Sequence, residues 1–159
     1  MSEHAQRHGA RLAAVQAIYQ MELTGNDAES VTQEFCEHRF GELTAGDTEP
    51  DEAFFADLVR GVPHHQVEID RSIAENLSED WKLQRIDSIL RAILRAGIYE
   101  LVARKDVPAK VVIDEYLDIA HAFFAGEEPA FVNALLDRVA RRKRAAEFGE
   151  KPADDELRF

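Results

Sequence analysis

Apolar residues recur along most of this chain at three- and four-residue steps, the period of a helix that buries one stripe. Leu12, Val15, Tyr19 and Leu23 mark the first such helix, and Thr24, Gly25 and Asn26 supply its stop signals. A second pattern, Val31, Phe35 and Phe40, leads into GELTAGDTEPDE (41–52), which reads as an exposed, mobile loop. Phe54, Phe55, Leu58, Val59 and Val62 run on to Ile69, Ile73 and Leu77. Pro63 removes a helical hydrogen bond on the way, so the spacing predicts a kink or a split there. Ile86, Ile89, Leu90, Ile93, Leu94, Ile98 and Leu101 make a stripe so broad that it predicts a central helix, covered round most of its circumference. Pro108 suits the first turn of a helix through Val112, Tyr116, Ile119 and Phe123, with Gly126 placed to end it. Glu127 and Glu128 then favour the positive end of a last helix striped by Val132, Leu135, Leu136 and Val139. No alternating strand pattern of useful length occurs, so the predicted fold class is all-α, a compact single-domain bundle of about seven helices.

Length and composition agree with that reading. The chain has 159 residues and 45% apolar content, enough for one sizeable core. No apolar run approaches the roughly 20 residues of a membrane-spanning helix, and MSEHAQRHGARL has no signal-peptide core, so the expected location is the cytoplasm. Cys36 is the only cysteine, which excludes an intrachain disulfide and a cysteine zinc cluster.

A net charge of -12 argues at first sight against a nucleic-acid binder. The distribution changes the picture, because residues 26–80 hold 15 acidic against 3 basic side chains, whereas 1–25 and 81–159 are each balanced. Arg138, Arg141, Arg142, Lys143 and Arg144 form a basic run, after which residues 145–159 read as an acidic C-terminal tail to a domain of residues 1–144. Arg7 and Arg11 lie one turn apart on the first helix, with no acidic residue between Arg7 and Gln20. They suit either a phosphate-facing edge or a solvated surface.

Catalytic motifs are missing: there is no glycine-rich phosphate loop, no zinc-protease histidine pair and no nucleophile elbow. His64 and His65 are adjacent and point apart on a helix, with Asp70 the nearest downstream aspartate and His121 far away in sequence. No enzyme, cofactor or metal site is expected.

Three phrases between Trp81 and Arg138 stand out: RAILR with GIYEL, then DVPAKVVIDE, then FVNALLD. Their order and spacing resemble the NusB family, bacterial transcription antitermination factors that bind boxA RNA, and RLAAVQAIYQMEL resembles that family's first helix. The resemblance covers roughly Arg7 to Met21 and Trp81 to Arg138. Residues 25–80 match mainly in helical pattern. It implies an RNA-binding regulator, with Arg7 and Arg11 on an arginine-rich segment implicated in RNA binding. His8 and Gly9 fall where further basic residues are often found, which lowers the expected affinity. Phe131, the phenylalanine of the FVN phrase, is implied at the RNA surface, and the acidic loop before it carries over to Glu127, with Glu128 the alternative one residue on. An aromatic at the edge of a stripe can stack on an unpaired base, and Arg138 and Arg142 further along the same side can hold the backbone. Arg7, Arg11 and Phe131 are thus expected on one surface made by the first and last helices. Tyr19 fits packing and an RNA-facing hydroxyl equally, Asn133 fits RNA contact or capping, and Gln16 is similarly open.

The resemblance also implies partners. The NusB family pairs with NusE, a small-subunit ribosomal protein, and the heterodimer joins an antitermination complex with RNA polymerase on nascent ribosomal RNA. The acidic middle segment suits a basic ribosomal protein. Arg91 and Arg95 are the implied contacts, although Leu90 stands where many relatives carry an acidic residue. Homodimerisation occurs in some relatives, and no membrane partner is expected. The alternative reading is a non-catalytic helical protein–protein adaptor without significant RNA binding.

Overall fold

A computed structural model describes residues 3–40, 50–77 and 82–151 of the chain. Among these there are seven α-helices and no strand, as the periodicity predicts. The chain divides into two compact units, Met1–His64 and His65–Phe159.

In the first unit, α1 (Glu3–Thr24) packs along α3 (Glu52–His64), and the short α2 (Ala28–Glu34) continues into a π turn over Phe35–Arg39. Asp27 caps α2 by accepting from the Ser30 amide at 2.8 Å, and Asp51 does the same for α3 through the Phe54 amide at 3.0 Å. The buried face of α1 is rich in alanine, with Ala10, Ala13, Ala14 and Ala17 beside Arg11, Val15 and Ile18. That face is rotated from the predicted stripe: Leu12 and Tyr19 are half-buried, and Leu23 is 61% exposed because burial on α1 ends at Ile18. Phe35, Phe40 and Phe55 form an aromatic cluster, with Phe35 and Phe55 stacked at 5.4 Å and Phe40 edge-on to Phe55 at 4.9 Å. Pro63 falls in the last turn of α3, and the chain breaks at His65 before the next helix, which is the predicted split.

The second unit is built round α5 (Ser88–Ala103), buried without interruption from Leu90 to Leu101. Asp87 caps it through the amides of Ile89 and Leu90 at 2.8 and 3.3 Å. Around it pack α4 (Gln66–Glu75), α6 (Ala109–Phe123) and α7 (Glu128–Lys143). Gly97 lets α5 approach its neighbours closely, since a Cβ there would lie 3.0 Å from Leu136 Cδ1 and 3.5 Å from Tyr116 Cδ2. Pro108 stands at the N-cap of α6, just before its first turn. The Tyr116 hydroxyl donates to Glu100 at 2.9 Å, which partners a carboxylate with no solvent exposure.

The segment read as an acidic tail from residue 145 begins inside the fold. Ala145–Phe148 form a 3-10 turn, Ala145 is buried, and Glu147 accepts from the Ala109 amide at 2.9 Å. Most of the predicted 41–52 loop, Trp81 and residues 152–159 lie outside the described residues.

Candidate nucleic-acid interface

The last helix starts at Glu128 with Pro129 in its first turn, where a missing amide donor costs nothing. From there Glu127, Phe131, Ala134 and Arg138 follow at steps of four, three and four, so they share one face. That face lies opposite the end of α4 and the start of α5. Together they bound a cleft of about 900 Å³ lined by Leu77, Leu90, Ala130, Phe131 and Ala134, with Glu75, Glu127, Glu128 and Arg138 as its charged groups. Arg138 Nη2 donates to the Asn76 carbonyl at 2.9 Å, and Arg142 pairs with Glu75 at 3.4 Å, so α7 is tied to the C-terminal end of α4 along the cleft. Phe131 is half-buried, as an edge aromatic should be, and Glu127 and Arg138 are exposed. The cleft therefore combines a half-buried aromatic side chain with carboxylates and a guanidinium, the groups that can stack on a planar, polar-edged group and hold an anion beside it.

The structure brings Glu127, Phe131 and Arg138 of the predicted site residues to this one cleft. Asn133 is exposed and outside the lining. Leu77, Leu90 and Asn76 were not foreseen, since nothing in a single sequence pairs the end of α4 with a helix some 60 positions later.

On the first unit the two predicted arginines part company. Arg7 keeps 24% of its side chain exposed, with its guanidinium 4.7 Å from the Phe54 ring centroid, 3.4 Å from Glu3 and 3.8 Å from Asp51. Arg11, expected at a phosphate-facing edge, is instead an interior group: it is 1% exposed, with its guanidinium 5.0 Å from the same ring centroid. Tyr19 is half-buried, as is Gln16.

Arg91 and Arg95, implied as partner contacts, are also turned inward, at 8% and 7% exposure. Arg91 donates to the carbonyls of Leu83 and Ile86 at 3.0 and 2.8 Å and so fastens the turn that enters α5. Arg95 grips Asp70 on α4, the aspartate downstream of His64 and His65. The basic run is equally committed. Lys143 and Arg144 are buried, and Arg141 pairs with Asp137 at 2.9 Å and Glu150 at 3.5 Å while lying over the Phe148 ring.

Residues 8–141 match the sequence model of the NusB family. The chain belongs to the NusB family. It is 52% identical over 144 residues to the transcription antitermination protein NusB of Maricaulis maris, covering 89% of this chain and 90% of that one. The fold is similar to that of T. maritima NusB, with a TM-score of 0.74 at 29% identity over 90% of this chain and 96% of that one. A further NusB fold neighbour, at TM-score 0.72 and 24% identity over 86% of this chain and 97% of that one, was crystallised as antitermination factors NusB and NusE in complex with dsRNA. The span matched by the NusB family takes in α7 as far as Arg141 and all the helices that line the cleft.

Proposed function

We propose that this protein is a transcription antitermination factor that binds a boxA-like single strand of nascent ribosomal RNA jointly with NusE. It acts with RNA polymerase in the bacterial cytoplasm and performs no chemistry of its own. The observation that carries the RNA reading is the cleft that the half-buried Phe131 lines together with acidic and basic side chains. Stacking needs an unpaired base, which favours a single strand over a duplex at this cleft. Relatives about half identical to this chain along most of its length bear the antitermination name, and a fold neighbour was crystallised with NusE and RNA. In this reading Phe131 stacks on a base, Arg138 and Glu127 contact the same strand, and Arg7 adds a phosphate contact of its own. Tyr19 and Asn133 are secondary candidates.

The test is a titration of the protein with a boxA-like RNA and a scrambled control, with and without NusE, at low and high salt. Preferential binding of the boxA-like strand, strengthened by NusE and weakened by salt, is expected. Phe131→Ala should weaken it by about 1 to 3 kcal/mol while leaving thermal unfolding nearly unchanged. Capture of NusE with no effect on RNA would replace this reading with a protein-only adaptor.

A further inference from the structure

The cations of the basic run at the end of α7 differ in what holds them. Lys143 and Arg144 are buried, and Arg144 is spent on the backbone between α5 and α6. Arg141 is held by Asp137, Glu150 and the Phe148 ring. Arg142, eleven residues after Phe131, returns to the same side of the helix as that ring, about 16 Å further along the axis. There it pairs with Glu75 of α4 at 3.4 Å, and the arginine side chain stays 55% exposed and the glutamate 51%. Arg138, one turn earlier on this side, donates to the Asn76 carbonyl, a neutral partner that leaves its charge standing. Glu75 lines the cleft and is the last residue of α4. A negative charge at that end of a helix opposes the helix dipole, so helix stability does not account for it. An ion pair this exposed also shifts an equilibrium by no more than about fivefold, so it adds little to the hold of α4 on α7. What the pair does achieve is electrical: it cancels the charge of Arg142 where a strand leaving Phe131 along α7 would carry its phosphates.

We propose that Glu75 is an autoinhibitory charge gate: it occupies Arg142 and so holds down the sequence-independent attraction of the cleft for RNA phosphates. This rests on the reading of the cleft as an RNA site. Phosphate contacts supply affinity without reading sequence. Each phosphate neutralised by a cation releases counterions and steepens the salt dependence of binding. The Glu75–Arg142 pair has no net charge and neutralises no phosphate, which leaves stacking at Phe131 a larger share of the binding. With the carboxylate charge removed, Arg142 becomes a phosphate contact.

The experiment titrates the boxA-like strand and its scrambled control, without NusE, against the full chain and three variants at several salt concentrations. Glu75→Gln keeps the shape and removes the charge. It is expected to tighten both strands by the same factor, about two- to fivefold, and to steepen the slope of log affinity against log salt by about 1. Arg142→Ala should weaken both strands. Arg142→Ala combined with Glu75→Gln should return the slope to that of the wild type, because the local charge is again zero. An unchanged slope in Glu75→Gln, a gain confined to the boxA-like strand, or a double variant that keeps the steeper slope would overturn the gate even if the wild type binds the boxA-like strand normally. Failure of the wild type to bind the boxA-like strand at all would instead remove the RNA reading of the cleft, and this inference with it.

Discussion

Arg95 and Asp70 meet through two parallel hydrogen bonds, Nε to Oδ1 at 2.9 Å and Nη2 to Oδ2 at 3.0 Å, joining α5 to α4. The arginine side chain is 9% exposed and the aspartate 24%, so the pair is largely withdrawn from water. Removing one member of such a pair leaves the other charge uncompensated, which is worse than never having built it. Arg95→Ala should therefore cost about 3 kcal/mol in urea-induced unfolding. A wild-type unfolding midpoint together with lost NusE capture would return Arg95 to the partner surface.

Arg7 and Arg11 should separate in the same assay. Arg7→Ala is expected to reduce the slope of log affinity against log salt by about 1, the loss of one phosphate contact. Arg11→Ala should leave that slope alone and destabilise the fold by about 2 kcal/mol, through lost packing and the lost contact with the Phe54 ring. Equal slopes for wild type and Arg7→Ala would strike Arg7 from the RNA contacts.

Glu147 ties acid stability to the C-terminal turn. Burial pushes its carboxyl up, but the Ala109 amide and the Arg144 guanidinium, with Lys105 nearby, push it down further, so the group lies below its ordinary value of 4.5. A depressed carboxylate contributes stability that is present above the unfolded value and lost as pH falls through the folded one. The resistance of the wild type to chemical unfolding should fall as pH drops below 4.5, and Glu147→Gln should flatten that part of the profile. Superimposable profiles would mean the contact contributes nothing.

At Gly97 two effects of opposite sign compete. Alanine would gain up to about 1 kcal/mol of helix propensity. Its methyl, however, would press on the δ carbons of Leu136 at 3.0 and 3.1 Å, and Leu136 has no solvent exposure through which to give way. Overpacking of this kind costs about 1 to 3 kcal/mol, so Gly97→Ala should lower the Tm. A raised Tm would show that Leu136 repacks without strain.

The helices were legible because their stripes are long and aliphatic. The α5 stripe from Ile86 to Leu101 announced a central helix, and Pro63 announced the break before α4. The face of α1 was misread because its core side is built of alanines, which a search for large apolar residues passes over, while Leu23 looks like core and is not. Phe131 and Arg138 could be placed together because one helix side carries both, whereas Glu127 was implied by the family resemblance. The fate of the arginines could not be read, because charge looks the same in a sequence whether the side chain stays exposed, as at Arg138, or is buried against backbone carbonyls, as at Arg91. Glu75 could not be singled out either, since its partner Arg142 lies 67 residues further on.

The guanidinium of Arg144 serves backbone that lies far from it in sequence. It donates to the carbonyls of Leu101, Arg104 and Val107 at 2.6, 2.8 and 2.9 Å, and so holds the whole connection between α5 and α6 from some 40 residues downstream. On a ribosome, that connection is made long before the residue that secures it. The Arg104 carbonyl also accepts from the Val107 amide at 3.1 Å, but the guanidinium that joins all three carbonyls arrives only after the last helix has been made. The order of synthesis thus places this closure near the C-terminal end of the second unit: a nascent chain halted before residue 144 carries the seven α-helices of the described residues and still lacks this fastening.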